Sequence, residues 1–530
     1  MDLASDPPRI RLVTCDEIAE NEPRYATLSH CWGGNSPFRL LQSNLEEMKS
    51  GIPFREFPKT FQEAIFVARK LGISYLWIDA VCIVQDSHQD WTQQASLMEQ
   101  VYSNSYLTIA ATDSADSAGG LGRDRNAQAV QSVYAPRLNH DDTNPAGWFC
   151  YGGPRFEGHL TRRGWVLQER FLSPRVVHYL GNQIGWECSE SMTSEGLPAS
   201  VNLRQNAVTL FKCLNTSIAD TDSNGETRIK NVYVLWDTLV MRYASGHLTF
   251  SSDRPIAIAG VARVVCRHLD LEASDFHCGL WGPRFAGGLA WHSVDTSQEQ
   301  LARDPLLGIP SWSWLSVDGE VWQDHTGRYF RYKTPIEVVE LRTTPVGDPF
   351  GPVNSAFARI KGPICPVSIS ERSGSRDPAK DDESPFYDIT LDGIAFLAGR
   401  CFLLNWDGSR GQSLNSVLET TLYLLLVRAG EQPENGPAGL DLLYGFNTYC
   451  CIILTAVPRR RGHFRRIGFI EFLFPLTEPR APPPNFGNER DSNMCRRVHR
   501  RLDECFAKRN LPEYLYEAID DQHKYTIILQ

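Results

Sequence analysis

Tyr75 to Ala111 reads YLWIDAVCIVQDSHQDWTQQASLMEQVYSNSYLTIAA, and this stretch decides the fold at the front of the chain. From Tyr75 to Ile83 it is β-branched, aromatic and apolar on both alternating faces, the pattern of a strand in a sheet covered on both sides. Asp79 interrupts that pattern. A carboxylate inside such a strand is costly unless it is paired or hydrogen-bonded, so Asp79 calls either for a structural partner or for a ligand to position. After a polar turn, Asp90 reads as the cap of a helix whose Trp91, Ala95, Met98 and Tyr102 recur at helical spacing, and Tyr106 to Ala111 returns as an apolar strand.

Working outward, Tyr25 to Ser29 is strand-like, and Thr60 to Leu71 places Phe61, Ile65, Ala68 and Leu71 on one helical stripe that Gly72 stops. Strand, helix, strand, helix, strand with short connections predicts an α/β fold with a mostly parallel sheet. Ligands of such open sheets bind beyond the carboxyl ends of the strands. Here those ends are Ser29 to Gly34, Cys82 to Asp86 and Ala111 to Ser114, which predicts a pocket there.

Bulk properties bound the rest. The 530 residues exceed one ordinary core, and at roughly 100–200 residues per domain the length predicts two to four units. With 42% hydrophobic and 22% charged residues and a formal net charge of −10, the composition is that of a globular protein without a global pull toward nucleic acid. The first residues lack a secretory pattern and no apolar run reaches membrane-spanning length, so the expectation is a cytoplasmic protein with no membrane span and a short lead over 1–24. The 14 cysteines show no CxxC pair and the 13 histidines no ligand spacing, so neither a disulfide framework nor a metal site is expected. Gly33-Gly34 and Gly119-Gly120-Leu121-Gly122 match no phosphate-loop pattern.

Three blocks set polar residues beside tryptophan within short apolar runs. They are Leu28-Ser29-His30-Cys31-Trp32-Gly33, then Leu76-Trp77-Ile78-Asp79 with Cys82-Ile83 and Gln85, then Arg163-Gly164-Trp165 with Gln168-Glu169. In this order they resemble the signatures of the fungal heterokaryon-incompatibility (HET) domain. The resemblance implies a flavodoxin/TIR-like doubly wound fold over 25–170, with a loop excursion at 113–160. It implies a nonself-recognition effector that triggers regulated cell death in a fungus, working by self-association or through another protein. TIR-like relatives that cleave NAD suggest the alternative, an NAD or nucleotide hydrolase, with NAD as a candidate substrate and no certain cofactor. Their glutamate has no match here: the corresponding run, Ser87 to Ala95, carries Gln93 and Gln94, and Glu99 lies too far round the helix.

The candidate pocket comprises Ser29, His30, Trp32, Gly33, Asp79, Gln85, Arg163, Trp165, Gln168 and Glu169, with Glu169 and Asp79 as candidate catalytic carboxylates. Arg163 or Arg162 is the expected partner of Asp79. Glu169 reads either as a general acid/base or as an acceptor for a backbone turn. Ser29 and His30 do not form a nucleophile–base pair, because neighbours in a strand point to opposite faces. His30 stands where the family commonly has Tyr, and Cys31 and Cys82 read as packing residues.

Beyond the resemblance, 171–317 reads as a helical companion region, anchored by the amphipathic run Ile229 to Tyr243, and 318–530 as a β-rich domain. The latter has strand-like runs at Glu337 to Arg342, Phe357 to Ile360, Tyr387 to Leu391, Leu422 to Val427 and Tyr449 to Ala456, with loops at 373–384 and 479–485. The arginine clusters Arg459-Arg460-Arg461 with Arg465-Arg466, and Arg496-Arg497 with Arg500-Arg501, read as solvated loop faces or anion contacts.

Overall fold

The computed structural model describes residues 9–18, 23–34, 38–130, 133–136, 147–150, 156–197, 208, 211–212, 214, 225–294, 308–323, 331–371, 387–391, 394–397, 402–407, 420–432, 446–475, 489–508 and 511–530. The chain divides into two compact units, Met1–Leu235 with Gly246–Leu269, and Trp236–Ser245 with Asp270–Gln530. The loops read at 373–384 and 479–485 lie outside the described residues.

In the first unit, β1 (Tyr25–Ser29), β2 (Tyr75–Ile78), β3 (Leu107–Ala110) and β4 (Arg175–Tyr179) pair in parallel. β5 (Ile184–Cys188) and β6 (Met192–Ser194) continue the sheet antiparallel, giving the spatial order β2-β1-β3-β4-β5-β6. Between the strands run α1 (Lys59–Lys70), the single turn α2 (Asp79–Cys82), α3 (His88–Ser103) and α4 (Val166–Leu172). The mixed α/β class and the parallel centre are as the alternation of patterns predicts.

Two faces follow from the period of the strand. Ala26 and Leu28 are fully buried in one core with Phe61, Ala64, Ile65 and Ala68 of α1. Thr27 and Ser29 face the other way. There Thr27 Oγ1 lies 2.6 Å from Thr108 Oγ1, which lies 2.5 Å from Ser173 Oγ just past α4. α5 (Gly225–Ala244) and α6 (Arg254–Leu269) come later in the chain, and α6 closes on α3 through Glu99, which binds Arg263 and, at 3.2 Å, Arg267.

Three expectations need correction here. β2 stops at Ile78, not Ile83, because Asp79 Oδ1 accepts the Ala80 amide at 2.7 Å and turns the chain into α2. α3 is capped by Ser87, whose Oγ accepts the Asp90 amide at 3.3 Å, while the Asp90 carboxylate takes the Val84 amide at 2.7 Å. The reading of 171–317 as helical holds for α5 and α6, but 175–194 forms β4 to β6 and extends the front sheet. Val176 and Val177 and the alternation from Ile184 to Cys188 carry the strand signal. Within the excursion, Val133–Pro136 and Gly147–Cys150 pair antiparallel, and in the lead Arg9–Ile10 pairs with Ile52–Pro53.

The second unit is β-rich. Its large sheet runs in the order β7 (Glu337–Pro345), β8 (Val353–Gly362), β16 (Tyr525–Leu529), β15 (His463–Pro475), β14 (Phe446–Ala456), β13 (Leu422–Gln432), β9 (Ile364–Glu371), β10 (Tyr387–Leu391) and β11 (Ile394–Leu397), with β12 (Phe402–Trp406) paired to β15. Arg496 to Arg501 are helical rather than loop: α7 (Glu489–Ala507) buries Val498, Leu502, Cys505 and Phe506 in the core of this unit, a stripe at helical spacing masked by the basic residues between. Among the described residues, no helix is long and apolar enough to cross a membrane.

Arg466 sits in this unit as a fully buried cation. Its Nε donates to Asp407 Oδ2 at 2.7 Å, Nη1 to the Leu289 carbonyl at 2.7 Å and Nη2 to the Trp291 carbonyl, with the guanidinium 3.5 Å from the Trp291 ring centre. Removing one partner of such a pair strands a charge that water no longer reaches. Arg466→Met is therefore expected to lower the unfolding free energy by about 3–5 kcal/mol, read from the urea midpoint, and the double replacement Arg466→Met with Asp407→Leu to recover much of it. A loss below about 1 kcal/mol for the single variant would refute this account.

Candidate functional site

The predicted pocket residues gather at the carboxyl ends of β1 and β2, against the start of α4. Ser29 ends β1 and is 2% exposed. Its Oγ donates to Glu169 Oε2 on α4, a helix that buries Val166, Leu167, Gln168, Glu169, Phe171 and Leu172. The Tyr102 hydroxyl on α3 also hydrogen-bonds Glu169. Two hydroxyls from two different elements thus hold one carboxylate that is only 3% exposed. Burial pushes the Glu169 carboxyl up to about 7, the Arg163 guanidinium and the two hydroxyls oppose that rise, and Asp79 adds to it. Glu169 is thus a group that exchanges its proton near neutrality, and it is shielded from solvent.

His30 points to the opposite side, as strand alternation demands. Its ring meets Phe61 of α1 edge-on at 4.9 Å, and neither ring nitrogen has a hydrogen-bond partner. Burial lowers its pKa to about 4, against the pull of Asp79, whose Oδ1 lies 3.6 Å from Nδ1. His30 is therefore neutral at pH 7. Asp79 is the more open acid, with 19% of its side chain exposed, and its Oδ2 accepts the Trp32 indole N–H at 2.8 Å. The backbone there is held by Gln85, whose Nε2 donates to the carbonyls of Asp79 at 3.0 Å and Ile83 at 2.9 Å.

Arg163 does not clamp Asp79. Its Nη1 donates to the His30 carbonyl, so the tie between the third block and the sheet runs to the backbone of the first block. Trp165 also turns away from the cluster: its Nε1 donates to Asp253 at 3.2 Å, and its ring meets Trp91 edge-on at 6.4 Å. Gln168 is 1% exposed with Nε2 unpartnered, close under α6, where a side chain at Gly260 would come within 2.9 Å of Gln168 Oε1. Gly33 adopts φ 76°, and a Cβ there would lie 2.6 Å from Asp116 Cβ, so both backbone and packing require glycine.

Residues 25–169 match the heterokaryon incompatibility protein (HET) family. The chain carries a HET domain. No curated protein and no solved structure matches it. The matched span of this HET domain runs from β1 to Glu169, and the contacts above join its three signature blocks.

Tyr102 escapes a reading of the sequence because its spacing marks it only as part of an apolar stripe, and nothing in that stripe reports a hydroxyl aimed at α4. Asp253 lies outside the three blocks altogether. Among the described residues no cluster of His, Cys, Asp or Glu could hold a metal ion. The glycine-rich turn is filled by the protein itself, since Glu63 Oε2 accepts the amides of Leu121 at 2.5 Å and Gly122 at 2.8 Å. Gln94 stays 3.5 Å from Asp90 on its own helix, and Glu99 is committed to α6.

A carboxyl raised from 4.5 to about 7 favours the folded state while it is protonated, so its contribution is complete below pH 4.5 and is lost as pH rises through 7. His30, lowered to about 4, works in the opposite sense and loses stability as pH falls from 6.5. The difference between wild type and Glu169→Gln isolates the first effect. Wild type is expected to lose about 3 kcal/mol relative to the variant between pH 4.5 and 8, read from paired unfolding curves. Parallel profiles for the two proteins would show that Glu169 does not titrate in this window.

Proposed function

We propose that this HET-domain protein is an effector of heterokaryon incompatibility in a fungus, triggering regulated cell death through self-association of its front domain and not through turnover. The observation that carries this reading is the burial of Glu169, one of the two candidate catalytic carboxylates. Glu169 is buried and already holds both Ser29 and Tyr102, so the signature residues are spent on each other. A hydrolase would need that carboxylate to face a substrate. The parallel order β2-β1-β3-β4 supports the flavodoxin/TIR-like, doubly wound part of the reading. On this view the cytoplasm is where the protein acts, and a second copy of the chain is its first partner.

Regulated expression of the full chain in a fungal host tests it. Viability is expected to fall on induction, with light scattering of the purified protein showing concentration-dependent assembly. Asp79→Ala, which removes the acceptor of the Trp32 indole, is expected to abolish killing at an unchanged protein level. A strictly monomeric protein that still kills would eliminate the assembly mechanism. NAD loss preceding death and stopped by Glu169→Gln would replace it with hydrolysis.

A further inference from the structure

In the second unit, β7 lies at one end of the large sheet: among the described residues it pairs with β8 and with no strand on its other side. None of its nine residues is buried; Val339 is 50% exposed and the Arg342 side chain 68%. Such an edge offers a row of unpaired backbone N–H and C=O groups, a template for one more strand. Charges and bulges commonly guard edges of this kind, and β7 has both, with register shifts between Val338 and Glu340 and between Thr344 and Pro345. The stretch between the shifts, Glu340 to Thr344, is regular strand, and its two charges, Glu340 and Arg342, are placed so that they answer a second copy of themselves.

Glu340 and Arg342 are two residues apart and share a face of the strand, where Glu340 Oε1 accepts from Arg342 Nη2 at 3.0 Å. Glu340 also binds Arg359 of β8, and Arg359 Nε donates to Glu517 at 2.8 Å, so a row of alternating charge crosses the sheet and stops at the open edge. Leu341 is flanked by an acid one residue before it and a base one residue after it. Laid antiparallel on itself about a two-fold axis at Leu341, the strand sets each Glu340 opposite the Arg342 of the other copy. An axis at Glu340 or at Arg342 instead sets like charges face to face, which destabilises a strand pair, and an axis at Val339 or Thr343 leaves both charges opposite uncharged residues. We propose that a second copy of this chain docks on β7, continuing the sheet antiparallel across a two-fold axis at Leu341, with two reciprocal Glu340–Arg342 pairs fixing the register. The contact is independent of the front-domain association proposed above, since it lies in the second unit and uses no signature residue.

Sedimentation equilibrium of the full-length protein from micromolar to millimolar concentration tests this, with Arg342→Glu run beside wild type and the folding of each checked by its thermal transition. Wild type is expected to pass from monomer to dimer as concentration rises. Arg342→Glu turns both reciprocal pairs into like charges and is expected to raise the dissociation constant about tenfold at low salt. The register is read from Leu341→Cys, because a residue on the axis faces its own copy at a Cα separation of about 4.5–5.5 Å, within disulfide reach. Diamide is expected to cross-link Leu341→Cys into dimers that dithiothreitol reverses, well beyond wild type, and to leave Thr344→Cys, which faces Val338 of the other copy, at the wild-type level. A wild-type protein that stays monomeric throughout overturns the proposal. Equal assembly by wild type and folded Arg342→Glu also overturns it, while leaving front-domain association standing. Cross-linking of Leu341→Cys no greater than that of Thr344→Cys overturns the axis at Leu341.

Discussion

Glu169 is the residue on which the front domain turns. It is the last residue of the family match, yet its partners lie on β1 and α3, so one buried carboxylate ties the third signature block to the first and to the helix that follows the second. Burying an acid without partners would cost more than a small domain can spare. Ser29 and Tyr102 make that burial tolerable, and what they leave uncompensated appears as a carboxyl raised to about 7. The first block thus supplies a contact that the burial of Glu169 requires, and the second is joined to the first through the Trp32 indole on Asp79.

The sheet makes this possible through strict alternation. Ser29 and His30 are neighbours in sequence, but one faces α4 and the other meets Phe61 of α1. Arg163 then fixes the chain just after them by donating to the His30 carbonyl. Asp79 extends the arrangement toward solvent through Trp32, at the point where β2 gives way to a single helical turn. An apolar strand that ends on an acid is not a strand with a flaw in it. The acid is what ends the strand, by capturing the next amide.

Much of this is legible in the sequence because it rests on local periodicity. The parallel pairing of β1, β2 and β3, the stripe of α1 and the grouping of pocket residues at strand ends all follow from the spacing of apolar residues and from the topology of alternating elements. What escapes depends on contacts distant in sequence. Tyr102 looks apolar until its hydroxyl is placed against α4; the expected Asp79–Arg163 pair fails because a backbone carbonyl, silent in any sequence, is the acceptor instead. The strands at 175–194 escape because short β runs after a helix carry a weak signal, and α7 because its arginines hide an apolar stripe.

The glycine-rich turn and the core acid obey the same logic. Backbone amides at Leu121 and Gly122 form a site suited to an anion, and Glu63 occupies it; the hydroxyls of Ser29 and Tyr102 form another, and Glu169 occupies that. At both places a carboxylate of the chain itself takes the position an external anion would occupy. Opening the Glu169 site would expose a carboxyl whose proton affinity falls back to the ordinary range once it meets water, so opening and proton release are coupled.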